Sequence, residues 1–161
     1  MPWPPRWWPW RPLPTPPTPT PIPTPTPSPT PIPSGIPQQL LDAHNLERKK
    51  NGKPPLRINL ALQAFSQAHA DTMARNGIMS HDTAGDGSFG SRINKLGYSY
   101  SNAGENVAWN QQSVVQVMVS WMNSSGHRAN ILGNFTECGL AVAYGKNNDP
   151  YWSTVFCQPG R

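Results

Sequence analysis

Three polar side chains in the second half of the chain could together hold a metal ion. His81 lies in the segment IMSHDTAGDG, Glu105 in AGENVAW and His127 in SSGHRANIL. Two imidazoles and one carboxylate are enough to bind a divalent cation such as zinc and to leave a position open for water. The three residues are more than twenty positions apart, unlike a helical His-Glu-x-x-His motif, so their spacing alone does not show that they meet. One interpretation of the three residues is therefore a zinc site. The alternative is that they are ordinary structural side chains.

The other histidines and the serines give weaker signals. His44 and His69 lie inside amphipathic helical patterns, where a histidine is most often a core or boundary residue. Ser80 precedes His81 directly, but neighbours in sequence do not have the geometry of a catalytic pair. Ser124 stands next to Ser125 and a glycine, where it is more simply explained as part of a helix terminus. We therefore expect no nucleophilic triad.

Helical periodicity and capping residues predict four helices. The segments that share these signals are residues 37–52, 59–77, 88–97 and 113–126. Asn59 is suited to the N-cap of the second helix and Gly77 to its end, and Ser113 begins a Ser-x-x-Gln capping box in the fourth. Apolar residues nearly encircle the fourth helix, which predicts that it is buried. His81 and His127 then follow the ends of the second and fourth helices.

Two strand-like runs follow the helices, TECGLAVAYG and YWSTVFCQP, with the turn sequence KNNDP between them. Helices followed by a hairpin predict an α+β fold. A symmetric turn centred on Asn147 and Asn148 would place Cys138 opposite Cys157, close enough for a disulfide. A disulfide would indicate an extracellular location, and the alternative is two free buried thiols in a reducing compartment.

The first 35 residues differ sharply in composition from the rest. Nearly every second residue is proline, with Thr, Trp and Arg between and no acidic residue. This composition predicts an extended chain without a packed core, and so a disordered Trp/Arg-rich head and Thr-Pro linker at 1–35 before one folded domain at 36–161. Indole and guanidinium groups favour weak contact with a membrane surface or a glycan, and a head without any role is the alternative.

The chain is basic, with a formal net charge of +5 at pH 7. Part of this charge forms a cluster at the end of the first predicted helix, namely Arg48, Lys49, Lys50, Lys53 and Arg57. An anionic surface is one partner for it, and a solvated helix end is the other interpretation. No aromatic stacking residues or nucleic-acid motif accompany the cluster, so we expect no nucleic-acid partner. No apolar run could span a bilayer, and no signal peptide is visible.

The ordered set of motifs resembles one known family. The motifs are AHNLER, SHDTAGDGSFGSRINKLGY, AGENVAW, SWMNSSGHRANIL, NFTECGLAVAYG and YWSTVFC, within residues 37–159. In this order and spacing they resemble the CAP superfamily of cysteine-rich secretory, antigen 5 and pathogenesis-related 1 proteins, in its compact bacterial-like form (SCP domain). The resemblance implies a three-layer α-β-α sandwich, secretion, and a cleft lined by two histidines and two glutamates.

The cleft residues are assigned by the same resemblance. His81 and His127 are similar to the two cleft histidines and Glu105 to the first glutamate, whereas Ser124 stands where longer members have the second glutamate. The pair Cys138 and Cys157 is similar to the cysteines that join the terminal strands in plant and fungal relatives. The missing carboxylate implies weaker metal binding and disfavours an acid/base mechanism that uses paired carboxylates.

Three functions follow as hypotheses. The resemblance favours a secreted, non-enzymatic protein that binds lipid, sterol or a cell-surface component in defence or host interaction, without a required cofactor. A second hypothesis is a hydrolase assisted by a metal in the His/Glu cleft. A third places an antimicrobial or wall-binding activity in the Trp/Arg-rich head, with the domain as carrier.

Overall fold

The computed structural model of the chain describes residues 35–160. Its helices are α1 (Ile36–Lys50), α2 (Leu60–Asn76), α3 (Phe89–Lys95), α4 (Val114–Asn123) and α5 (Ser125–Ile131). Its strands are β1 (Arg57–Ile58), β2 (Tyr100–Trp109), β3 (Glu137–Tyr144) and β4 (Pro150–Pro159). The head and linker predicted for residues 1–35 fall, except for Gly35, outside the described residues. Within the described range, no helix has both the length and the apolar composition needed to cross a bilayer.

Local capping signals set the helix boundaries much as the sequence predicts. The Asn59 side chain accepts hydrogen bonds from the first backbone N–H groups of α2, and Gly77 ends this helix in the left-handed region with φ 67°. The Ser113 hydroxyl accepts a hydrogen bond from the backbone N–H of Gln116 at 3.2 Å and so caps α4. The predicted fourth helix is in fact two helices, because the chain leaves helical geometry at Ser124.

The four strands form one mixed sheet between two layers of helices. The strand order is β1-β3-β4-β2, with β1 parallel to β3 and the other pairs antiparallel. One apolar cluster joins α1, α4 and α5 to one face of the sheet, and two others join α2 and α3 to the opposite face. The predicted α+β, three-layer α-β-α sandwich is therefore confirmed. The strands β1 and β2 were not predicted.

The hairpin of β3 and β4 has a different register from the predicted one. Cys138 is opposite Phe156, and Cys157 is opposite Glu137, a shift of one residue. A shift of one residue turns a side chain to the other face of a sheet. Cys138 accordingly packs with α1 and α4 while Cys157 packs with α2 and α3, and both thiols are free. The predicted disulfide is therefore wrong for this structure, and burial raises the pKa of each thiol to about 12.

Two surface predictions also differ from the structure. The helix α4 is buried on one side only, because Val115 and Val119 are 72% and 55% exposed. Arg48, predicted within a solvated basic cluster, is fully buried and donates hydrogen bonds to four backbone carbonyls. Its neighbours Lys49 and Lys50 are exposed as predicted.

His44 belongs to the apolar core, as its helical pattern predicts. The ring is fully buried, its centroid lies 5.7 Å from that of Trp121 and 5.6 Å from that of Phe156, and its Nδ1 donates to the Leu40 carbonyl at 2.7 Å. Burial is the main cause that lowers the pKa of His44 from 6.5 to about 4. The folded protein therefore holds this ring in its neutral form.

Stability should consequently fall in mild acid. Between pH 6.5 and about 4 the unfolded chain binds a proton at His44 that the folded chain does not, so the free energy of unfolding decreases as the pH falls. The loss attributable to His44 is about 3 kcal/mol over this interval. Urea unfolding at a series of pH values measures it. His44→Phe should flatten the slope and His127→Gln should keep most of it; an unchanged slope in His44→Phe would contradict the assignment.

Candidate functional site

Glu105 lies near the middle of β2, the edge strand next to β4. It is paired directly with Val155, and directly paired residues of antiparallel strands project to the same face. Val155 packs with α2 and α3. Glu105 therefore points into the layer of these two helices, where it is 5% exposed.

Arg92 on α3 holds the Glu105 carboxylate. Its Nη2 donates to both carboxylate oxygens, at 2.8 and 2.9 Å, and to the His81 carbonyl at 3.0 Å. The guanidinium carbon lies 5.1 Å from the ring centroid of Phe65 and 5.8 Å from that of Phe89, within the range of cation–π attraction. Both charged side chains are buried, so the charge of Glu105 is balanced inside the fold.

His81 approaches the same carboxylate from the loop after α2. Its Nδ1 donates to Glu105 Oε2 at 3.0 Å, and half of its side chain remains exposed. This hydrogen bond is the main cause that raises the pKa of His81; partial burial opposes the shift and the negative charge of Glu105 adds to it. The pair therefore favours a protonated imidazole at the mouth of the site.

His69 on α2 adds a further imidazole behind this pair. Its Nδ1 lies 2.6 Å from Asp86 Oδ2 and its Nε2 lies 2.9 Å from the Ser80 carbonyl oxygen, and Nε2 is also 3.9 Å from Glu105 Oε1. Both ring nitrogens thus lie within hydrogen-bond distance of oxygen atoms from the loop that follows α2. The ring is buried and holds the 80–86 loop against α2.

His127 does not join this cluster. It lies on α5, where its backbone carbonyl accepts from Asn106 Nδ2 at 3.0 Å, and Asn106 follows Glu105 on β2 and so projects to the opposite face. Within residues 35–160, no hydrogen bond or ion pair links His127 to His81 or Glu105. Burial is the main cause that lowers the pKa of His127, and the positive charge of His81 adds to it. Asn106 thus holds the backbone of α5 against β2, and the centroid of the His127 ring lies 6.4 Å from that of Trp121.

The predicted zinc ligands do not fit a metal ion in this arrangement. Among the described residues, no group of three or more His, Cys, Asp or Glu side chains is placed to hold a metal. Glu105 already receives Arg92 on both oxygens and His81 on one of them. A metal ion at Glu105 would therefore compete with the Arg92 guanidinium for both carboxylate oxygens. What a ligand can reach here is the exposed edge of His81.

The two serines considered from the sequence have structural places. The Ser80 hydroxyl donates to the Asp82 carbonyl and accepts from the Asp82 backbone N–H, which fixes it within its own loop. Ser124 is the residue between α4 and α5. The arrangement around Glu105 is that of a preorganised polar wall.

Sequence reasoning missed Arg92, Asp86 and the contacts of His69. The spacing of Phe65 and His69, four residues apart, does place both on one face of α2. It does not show that an arginine from another helix packs against Phe65 and binds Glu105.

Comparison with known proteins assigns the family. The profile of the cysteine-rich secretory protein family matches residues 41–157, most of the chain. This chain belongs to the CAP family.

Relatives of this CAP domain occur in bacteria. It is 36% identical over 108 residues to the uncharacterised protein YkwD of Bacillus subtilis, covering 66% of this chain and 42% of that protein. The crystal structure of an extracellular SCP-domain protein from Bacillus anthracis is 28% identical, with a TM-score of 0.70 over 76% of this chain and 40% of that one. An outer surface protein of Borrelia burgdorferi shares the fold at 20% identity, with a TM-score of 0.70 over 76% of this chain and 92% of that one. The chain thus spans less than half the length of YkwD.

Proposed function

We propose that this CAP domain is an extracellular, non-enzymatic protein that binds a lipid acyl chain in the groove between α1 and α4. The observation that carries the proposal is the exposed apolar side of α4. Val115 and Val119 point to solvent there, and Leu46 of α1, 54% exposed, faces them across the groove. Neighbouring exposed apolar side chains of this size mark a binding surface more often than single ones do.

The dimensions of the groove favour a narrow ligand. It has a volume of about 230 Å³ and is lined by Ala43, Leu46, Glu47, Val115, Met118, Val119 and Met122. Pockets for drug-sized ligands typically hold about 300–1,000 Å³, so a single acyl chain suits the groove better than the fused rings of a sterol. The two methionines can adapt to a flexible chain. Glu47, the charged residue of the lining, is paired with Lys50 at 2.7 Å.

An extracellular location is supported by the description of the Bacillus anthracis relative as an extracellular protein. The polar cluster around Glu105 supports the non-enzymatic part, because its carboxylate is fixed by Arg92. The competing functions are binding of a sterol, binding of a cell-surface component and the metal-assisted hydrolysis predicted from the sequence. The head that was predicted to contact membranes lies outside the described residues.

Lipid titration of the delipidated full-length chain tests the proposal. Val119→Glu places a charge in the groove and should weaken binding of a fluorescent fatty acid by about tenfold or more, since a charge without a partner opposes an apolar ligand. Ile78→Glu is the matched control, because Ile78 is similarly exposed, at 57%, and lies outside the groove. A fluorescent sterol serves as the second probe. Absence of fatty-acid binding, or equal binding by both variants, would refute the proposal.

A further inference from the structure

We propose that Arg92 is the built-in cation of the Glu105 cleft and that it excludes divalent metal ions from this carboxylate. The proposal is independent of lipid binding at α1 and α4. Arg92 would thus decide whether the carboxylate binds a metal ion or a side chain of the protein itself. The cleft is organised by the Arg92–Glu105 ion pair and needs no bound metal.

The position of the guanidinium is the first support. Arg92 Nη2 lies within 2.9 Å of both Glu105 oxygens, on the side of the carboxylate that a metal ion would occupy. The guanidinium is also held by the His81 carbonyl and by the rings of Phe65 and Phe89. A metal that displaced it would leave a buried cation without its partner, which is strongly unfavourable.

The charges around the carboxylate are the second support. His69 Nε2 lies 3.9 Å from Glu105 Oε1, and both nitrogens of this ring face oxygen atoms. His81 donates to the other carboxylate oxygen. The Asp86 carboxylate lies beside His69 and 3.6 Å from Arg92 Nε. A dication at Glu105 would therefore have to compete with the buried Arg92 guanidinium and with the His81 donor for the same carboxylate.

Without Glu105, too few side chains remain to form a complete zinc site. With its Nδ1 on Glu105, His81 has Nε2 left, and within residues 35–160 His127 makes no hydrogen bond or ion pair to Glu105. Two imidazoles make an incomplete zinc site, because structural and catalytic zinc sites use at least three protein ligands. We therefore expect any zinc bound at the histidines to be weak and to lack Glu105 as a ligand.

Titration of the full chain with cobalt(II), a spectroscopic substitute for zinc, tests this without altering Arg92. Glu105 accepts a hydrogen bond from His81, so Glu105→Gln should weaken binding, but the visible spectrum at saturation should match that of wild type because the carboxylate is no ligand. A different saturated spectrum in Glu105→Gln would overturn the proposal, because it would show that Glu105 ligates the metal despite Arg92.

Substitution of Arg92 gives the converse test. Arg92→Met keeps an apolar side chain between the phenylalanine rings and frees the carboxylate, so zinc affinity should rise by about tenfold or more. The gain should vanish in Arg92→Met with Glu105→Gln, and Arg92→Lys, which keeps the charge, should show none. Cobalt(II) absorption in the visible range reports whether a coordinated site has formed. A folded Arg92→Met protein without gained affinity would overturn the role given to Arg92.

Discussion

Replacing Arg48 by methionine should lower the free energy of unfolding by about 4 kcal/mol, because it leaves several buried carbonyl groups without donors. Arg48 Nε donates to the Pro54 carbonyl at 2.8 Å, Nη1 to those of Ile131 and Gly133, and Nη2 to that of Phe135. One side chain thus ties the end of α1 to the turn between α5 and β3. No ion pair within the described residues involves Arg48, so its stabilising role rests on these carbonyls.

The matched control is the next residue along the chain. Lys49→Met removes the same charge from an exposed position and should change stability by less than about 0.5 kcal/mol. Arg48→Lys should be nearly as destabilising as Arg48→Met, because one ammonium group cannot reproduce the planar fork of donors. Chemical denaturation of the three variants measures these differences. Similar losses in Arg48→Met and Lys49→Met would show that the buried contacts contribute little.

Replacing Gly139 by alanine should destabilise the domain by about 3 kcal/mol or more, since the added methyl group overpacks a rigid contact. A Cβ at this position would lie 1.9 Å from the Leu62 carbonyl oxygen, 2.1 Å from the Leu62 carbonyl carbon and 2.6 Å from the Gln63 nitrogen. These are backbone atoms of α2, so relief requires the whole helix to move away from β3. The Ser66 hydroxyl, which donates to the Gly139 carbonyl at 3.0 Å, would move with it.

Gly126→Ala provides the control for Gly139→Ala. Gly126 lies in α5, and a Cβ there would have no heavy atom within 4 Å. Alanine is favoured over glycine inside a helix by about 0.5–1 kcal/mol, so this variant should be neutral or slightly more stable. Thermal unfolding and the yield of soluble protein compare the two. Equal melting temperatures for both variants would contradict the close approach of α2 to β3.

Features that depend on neighbouring residues were predictable from the sequence. Asn59 and Ser113 begin helices and Gly77 ends one because each satisfies backbone groups a few positions away. The hairpin itself was also predictable, but its register was not. Its loop, closed by Gly145 N–H donating to the Asp149 carbonyl, has an odd number of residues and holds Asn148 at φ 61°, which shifts the strands by one position.

Features that depend on distant residues were not predictable from local patterns. In the sequence, Arg48 looks like one of several basic residues. Only the fold brings the backbone carbonyls of residues 131–135 within reach of its guanidinium. The same applies to Arg92, whose partner Glu105 is thirteen residues away on a strand that the sequence did not reveal. Residue types singled out His81, Glu105 and His127, and the family resemblance named the same three; the structure joins the first two by a hydrogen bond.

The place of β4 in the sheet also has a consequence for biosynthesis. Its residues, 150–159, form the strand that pairs with both β3 and β2, so neither of these has its main partner until β4 has left the ribosome. Contacts between residues far apart in sequence form late, because the chain must first close long loops. The sheet is therefore completed only after β4 has been synthesised and is free to pair with β2 and β3.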